Sequence, residues 1–253
     1  MKTFEFIYLA TGHHYRLFFK PFIDSLENFC TDTVYKKVKL ITDDPNYDIE
    51  QYKNKKNINV ELYNITHYPW PLIMLFKFHY MEHFLNDEYD MMFFCNANYE
   101  FKETQILPSE FDLTEDKFLF FRIHKIKNTL TEDWTDDNPF NKDIPYVQAT
   151  MFAGKKESMK KCIAFIKSYV NEKLLNREIP FMIDEEVLNK YFSEIYNNKD
   201  EYNLYFMDDY GRLNTDLIWD DKTNNYQQHI NGFESHNNQY FTETPQCKPL
   251  KIK

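Results

Sequence analysis

The sequence predicts an α/β protein, a single domain built on a mostly parallel twisted sheet flanked by helices. Three observations predict it. From Phe4 to Tyr196, segments rich in aromatic and β-branched residues alternate with segments of helical spacing, the pattern of strand–helix–strand units. The run Tyr89-Asp90-Met91-Met92-Phe93-Phe94-Cys95-Asn96 is continuously apolar between an Asp and an Asn, as in a parallel strand buried on both faces. A chain of 253 residues with 43% hydrophobic and 18% aromatic content has the material for one large core.

In chain order, Phe4 to Thr11 reads as the first strand and Tyr15 to Phe29 as a helix. Val38 to Thr42 is a second strand, closed by the turn signal Asp43-Asp44-Pro45-Asn46. Asn57 to Ile65 is a third strand, Leu72 to Leu85 a helix and Tyr89 to Asn96 the central strand. A strand is expected from Lys117 to Ile123. The polar stretch Asn128 to Asp143, with Trp134, reads either as an acceptor loop or as a solvated connection. Val147 to Gly154 is a strand, Lys156 to Leu175 an amphipathic helix and Asp184 to Tyr196 another helix. From Asn214 to Lys253 the chain is polar and Asn-rich, with a basic finish at Lys248, Lys251 and Lys253, and reads as a tail. No internal repeat or Pro/Ser-rich linker divides it, so residues 1–253 are one domain.

Composition removes several functional classes. With 4 glycines in the whole chain there is no Gly-x-Gly-x-x-Gly and no Walker-type loop, which excludes the usual dinucleotide and P-loop sites. A formal charge of -10 argues against general nucleic-acid binding, which draws on clustered Lys and Arg. Met1 to Ile7 lacks the cationic start and apolar core of a signal peptide, and no apolar run is long enough to span a bilayer, so a soluble protein without a transmembrane segment is expected. Cys30, Cys95, Cys162 and Cys247 are far apart and form no metal-type pair, which reads as buried free thiols. His79 and His83 stand four apart on a predicted helix, but no third metal ligand accompanies them.

Chemistry is expected where the central strand ends. In open α/β sheets the ligand lies beyond the carboxyl ends of the strands. Here that end carries Asn96-Ala97-Asn98. Amides donate and accept hydrogen bonds but carry no charge, so they are poor ligands for a hard divalent cation.

Four further blocks join that strand: Tyr15-Arg16-Leu17-Phe18-Phe19-Lys20-Pro21-Phe22-Ile23-Asp24-Ser25, Trp70 to Phe78, Tyr146-Val147-Gln148-Ala149-Thr150-Met151-Phe152-Ala153-Gly154, and Ile183-Asp184-Glu185-Glu186-Val187-Leu188-Asn189-Lys190-Tyr191-Phe192. In order and spacing they resemble family 6 glycosyltransferases, which include the blood-group A and B transferases and the α-1,3-galactosyltransferases. The resemblance implies a GT-A-like fold and retaining transfer of a hexose from a UDP-sugar donor to an acceptor oligosaccharide in α-1,3-type linkage. It places Ala10, Thr11, Gly12 and Tyr15 near uracil, although Tyr15 on a helix face also fits simple packing. Lys77 matches a family arginine near the donor, and Gln148, Ala149 and Thr150 fall where the family discriminates donor sugars. Thr150 is larger than Gly or Ala, which favours galactose over N-acetylgalactosamine.

The resemblance also implies that Glu185 lies on the β-face of the donor sugar as nucleophile or charge stabiliser, with Asp184 orienting donor hydroxyls. An acidic first turn on a helix is an equally ordinary source of Asp184, Glu185 and Glu186. The family's metal-binding Asp-x-Asp is Asn96-x-Asn98 here, as in bacterial members, so no cofactor and no divalent metal are expected. The leaving diphosphate would then be stabilised by amide donors and basic groups, with Lys248, Lys251, His229 and His236 as candidates; for these and for Lys77 a solvated surface charge is the plainer reading. Around Glu185 the family's flanking residues are replaced by Met182, Ile183, Glu186 and Val187, so the acceptor is not carried over. A catalytically silent UDP-sugar or glycan-binding protein on the same fold is the alternative. A nucleotidyltransferase would want carboxylates beside Asn96, which the motif lacks.

Overall fold

The computed structural model describes residues 1–30, 34–101, 118–123, 137–180, 183–196, 198, 203–207 and 211–213. The chain order is β1 (Lys2–Leu9), α1 (Gly12–Arg16), α2 (Phe19–Asn28), β2 (Val34–Thr42), β3 (Ile58–Asn64), α3 (Leu72–Glu82), β4 (Met91–Asn96), β5 (Tyr99–Phe101), β6 (Phe118–Ile123), β7 (Asp137–Asn138), β8 (Asn141–Pro145), β9 (Val147–Gly154), α4 (Lys156–Leu175), α5 (Asp184–Ile195), β10 (Asn203–Met207) and β11 (Gly211–Leu213). Seven strands form the main sheet in the order β10-β6-β9-β4-β1-β2-β3. Its pairings are parallel except for β9, which runs antiparallel to both β4 and β6. Two two-stranded sheets, β11-β5 and β7-β8, complete the strand pairing among the described residues.

Both faces of the sheet are covered, which is why β4 reads as an unbroken apolar run. On one face Phe4, Phe6, Tyr8 and Phe93 pack with Phe19, Phe22 and Phe29 of the α2 region. Phe6 stacks on Phe93 at 4.7 Å and meets Phe29 edge-on. On the other face Ile7, Phe94 and Phe152 pack with α3, α4 and α5. Cys30, Cys95 and Cys162 are buried free thiols; Cys247 lies outside the described residues. Among the described residues no helix is long and apolar enough to cross a membrane.

The helix expected from Tyr15 to Phe29 is two helices, α1 and α2. Pro21 explains the break. In one continuous helix its ring would clash with the Leu17 carbonyl, whereas in the first turn of α2 no intrahelical N–H is required of it. The far end of α2 is closed by Lys36 of β2, whose buried ammonium donates to Leu26 O at 2.7 Å and complements the helix C-terminus. The strand expected over Val38–Thr42 starts at Val34, and the helix expected to reach Leu85 ends at Glu82. The stretch 128–136 with Trp134, and the tail from Asn214, lie outside the described residues.

A charged cluster sits on the α3–α4 face. Lys39 of β2 is bound by Glu61 at 2.8 Å and Asp87 at 2.9 Å, and lies 3.8 Å from Glu5 of β1. Glu5 is fully buried and neither of its carboxyl oxygens has a hydrogen-bond partner. Burial drives its pKa up to about 8 against the pull of Lys39. A folded-state pKa above the unfolded value means that the folded protein holds the extra proton between about pH 4.5 and pH 8. The stability this contributes is full below that window and is lost as pH rises through it. Urea unfolding of the wild type should therefore weaken by up to about 1.4 kcal/mol per pH unit across the window. Glu5→Gln should flatten that slope; an unchanged slope would remove Glu5 as its source.

Candidate functional site

Strand register brings the sequence candidates to one edge of the sheet. Leu9 pairs with Asn96 and with Ile41, so β1, β2 and β4 end level with one another. Because β9 runs the other way and pairs Met151 with Cys95, its first residues, Gln148 to Thr150, lie at that same edge. Helix α5 packs on β9 and delivers Asp184 and Glu185 from its first turn.

At the end of β1 the chain turns sharply. Ala10 is buried and its N–H donates to Ile41 O at 2.9 Å. Thr11 is nearly buried. Gly12 adopts φ +77°, with open space where a Cβ would stand, so glycine is required there by conformation and not by crowding. Its N–H donates to both oxygens of Asp43, at 2.9 and 3.1 Å. Asp43 also binds Arg16 at 2.5 Å and His67 at 2.9 Å. Burial opposes its charge, but the Gly12 N–H and the Arg16 guanidinium hold its carboxyl below the usual range. In the sequence Asp43 is only part of a turn signal; its position directly after β2, at the edge where the candidate residues gather, is what marks it. Tyr15 is 49% exposed, on the rim and outside the core, its ring 6.5 Å from that of Phe18.

Asn96 closes β4 half-buried, and its amide oxygen is buried without a hydrogen-bond partner. Asn98 is also half-buried. Between them the Ala97 carbonyl accepts a hydrogen bond from the buried Tyr8 hydroxyl at 2.5 Å. Burial raises the Tyr8 pKa and keeps it a donor. Directly beyond Asn98, Tyr99 of β5 pairs with Leu213 of β11.

Register on the other side of β9 is irregular. Phe121 pairs with Phe152 but Arg122 pairs with Gln148, so Ala149, Thr150 and Met151 bulge between them. A bulge takes backbone groups out of the ladder and re-aims them. Ala149 puts both of its groups to use: its carbonyl accepts from Lys77 at 3.3 Å and its N–H donates to Glu185. Thr150 is nearly buried, and Gln148 is half-buried with its amide oxygen 3.5 Å from the Thr150 hydroxyl.

The acids of α5 have three separate partners, which a merely solvated acidic turn would not need. Asp184 binds the Lys77 ammonium at 2.5 Å, Glu185 accepts from the Tyr146 hydroxyl, and Glu186 accepts from Tyr169 at 3.2 Å. Lys77 is 1% exposed, with its ammonium 4.1 Å from the Phe94 ring centroid. Burial lowers its pKa, and Asp184 opposes that. Lys77 is thus committed beneath the site, to Asp184 and Ala149. Burial raises the Glu185 pKa, against the Tyr146 hydrogen bond. Ile183, immediately before α5, has φ +54°, a strained conformation for a β-branched residue and one that persists only when its surroundings impose it.

Tyr146 and Asn189 escape sequence reasoning as functional residues. Asn189 is fully buried: its amide donates to Val147 O at 2.8 Å and Glu185 O at 2.9 Å, and its oxygen accepts from Val147 N at 3.0 Å and Asn138 at 2.9 Å. One amide therefore ties the start of β9 to the first turn of α5. The available signal was an Asn standing among Val187, Leu188, Tyr191 and Phe192, the buried apolar residues of that helix. His79, one of the pair spaced like metal ligands, shares a hydrogen bond with Asn171 at 3.1 Å. Met182, His229, His236, Lys248 and Lys251 lie outside the described residues. Comparison of the chain with protein-family models and with curated proteins finds no match.

Proposed function

We propose that the protein is a retaining glycosyltransferase of GT-A-like fold that moves a hexose, galactose by preference, from a UDP-sugar to a hydroxyl of an acceptor glycan in α-1,3-type linkage. The observation that carries this reading is the convergence of the Ala10–Gly12 turn, Asn96, the Gln148–Thr150 segment of β9 and the Asp184–Glu185 turn on one edge of the sheet, from segments far apart in the chain. In it, the β1 turn and Tyr15 take the base, Asn96 and Asn98 the diphosphate-bearing sugar, and Thr150 restricts bulk at the sugar. Glu185 supports the anomeric carbon from the β-face while the bond to UDP breaks. The acceptor hydroxyl then gives its proton to the β-phosphate oxygen of the departing UDP and bonds to the anomeric carbon from the face that UDP leaves, so configuration is retained. Neutral amides at 96 and 98 support transfer without a divalent metal.

A panel of UDP-sugars assayed for UDP release, with EDTA or Mn²⁺ in parallel, tests the proposal. Release from UDP-galactose that survives EDTA is the expected result. Release that depends on Mn²⁺ would remove the role given to Asn96 and Asn98, and faster release from UDP-N-acetylgalactosamine would remove that given to Thr150. The replacement, around Glu185, of the residues that flank this carboxylate in family 6 by Ile183, Glu186 and Val187 favours one second reading, a UDP-sugar or glycan-binding protein without turnover. Saturable UDP-galactose binding with no release from any donor, glycan acceptors included, would select it.

A further inference from the structure

We propose that Tyr146 is a positioning residue for Glu185, its phenol fixing the carboxylate in one orientation and biasing it towards the charged form that glycosyl transfer needs. The inference rests on the transferase reading above and deepens it. Tyr146 is 4% exposed and stands directly before β9, where its hydroxyl donates to Glu185 Oε2. Both ends of this bond are held by one side chain. Asn189 brackets Val147, the residue after Tyr146, through N–H and carbonyl, and takes the Glu185 carbonyl as well. Burial raises the phenol pKa further beyond its ordinary value, so Tyr146 remains a donor at every pH at which the protein works.

The groups facing Glu185 divide into two sets. Burial and the Asp184 carboxylate on α5 favour its neutral form. Tyr146, Lys77 from α3 and the Ala149 N–H from β9 favour the carboxylate. On the α4 side, Tyr169 is directed to Glu186. A carboxylate that supports a developing positive centre must be ionised and aimed, and a fixed neutral donor supplies both without placing a competing cation beside the donor sugar.

The test follows the Glu185 carboxyl by ¹³C NMR, assigned with Glu185→Gln, alongside UDP-galactose turnover. Tyr146→Phe removes one oxygen atom. It should raise the Glu185 titration midpoint by about one pH unit, move the acid limb of kcat with it, and lower kcat about tenfold at pH 7 with KM retained. Placing 3-fluorotyrosine at 146 strengthens the donor and should move the midpoint the other way, which keeps the test open if the Phe variant folds poorly. An unmoved midpoint in both variants, or a moved midpoint with kcat unchanged, would overturn the proposal. If the midpoint moves as expected while the wild type turns over no UDP-sugar, the hold of Tyr146 on Glu185 stands and the transferase reading fails.

Discussion

Lys77→Met is expected to destabilise the protein by about 3–5 kcal/mol in urea unfolding, because it leaves the Asp184 carboxylate buried without its cation. The ammonium it removes is 1% exposed, 2.5 Å from Asp184 and bonded to the Ala149 carbonyl, and the Asp184 side chain keeps only 11% of its surface exposed. Pairing the change with Asp184→Asn removes the stranded charge, and the double variant should return to within about 1 kcal/mol of the wild type. What should not return is turnover of UDP-galactose, since Asp184 and the Ala149 backbone are the groups that Lys77 holds at the site. Recovery of stability and turnover together would make the pair a structural element alone. Failure of the double variant to recover stability would mean that Lys77 contributes by packing on Phe94 and Phe78 more than by charge.

Lys77 also shows what a sequence makes visible. A single lysine in the helix Leu-Ile-Met-Leu-Phe-Lys-Phe-His-Tyr-Met reads most plainly as a solvated surface charge, whereas the structure buries it at 1% exposure; its place within an apolar run could be seen from the pattern alone. The partner could not, because it lies 107 residues away. The same division runs through the fold. The strand Val147–Gly154 and the helix Lys156–Leu175 were legible to the residue, since periodicity is local. The direction of Val147–Gly154 was not, as parallel and antiparallel strands buried on both faces share one pattern. That direction nevertheless brings Gln148 to the edge where β1, β2 and β4 end. The bulge at Ala149 is a property of two registers and leaves no mark on either strand. Pro21 stands inside the helix expected from Tyr15 to Phe29, and helical spacing alone hides the break it imposes there. Short pairings such as Tyr99 with Leu213 join segments too brief for any periodicity.

Glu185→Gln is expected to lower kcat for UDP-galactose turnover by about 10³-fold or more, some 4 kcal/mol of transition-state stabilisation, while donor binding persists. The substitution is nearly isosteric, and the amide oxygen can still accept from Tyr146, so the first turn of α5 and its Asn189 tie should survive. Burial disfavours the Glu185 charge, so an uncharged amide in its place should leave stability unchanged or slightly improved near neutral pH. That sign separates the two ways in which activity could fall. A variant that folds at least as firmly, binds UDP-galactose and fails to turn it over has lost a group that acts only as the anomeric centre develops charge. Glu185→Ala offers a complementary measurement, since azide entering the space on the β-face should restore UDP release and yield the β-glycosyl azide. Turnover undiminished in Glu185→Gln would remove this carboxylate from the chemistry, whatever its environment. It would leave the acids of α5 as a helix terminus whose partners serve the fold.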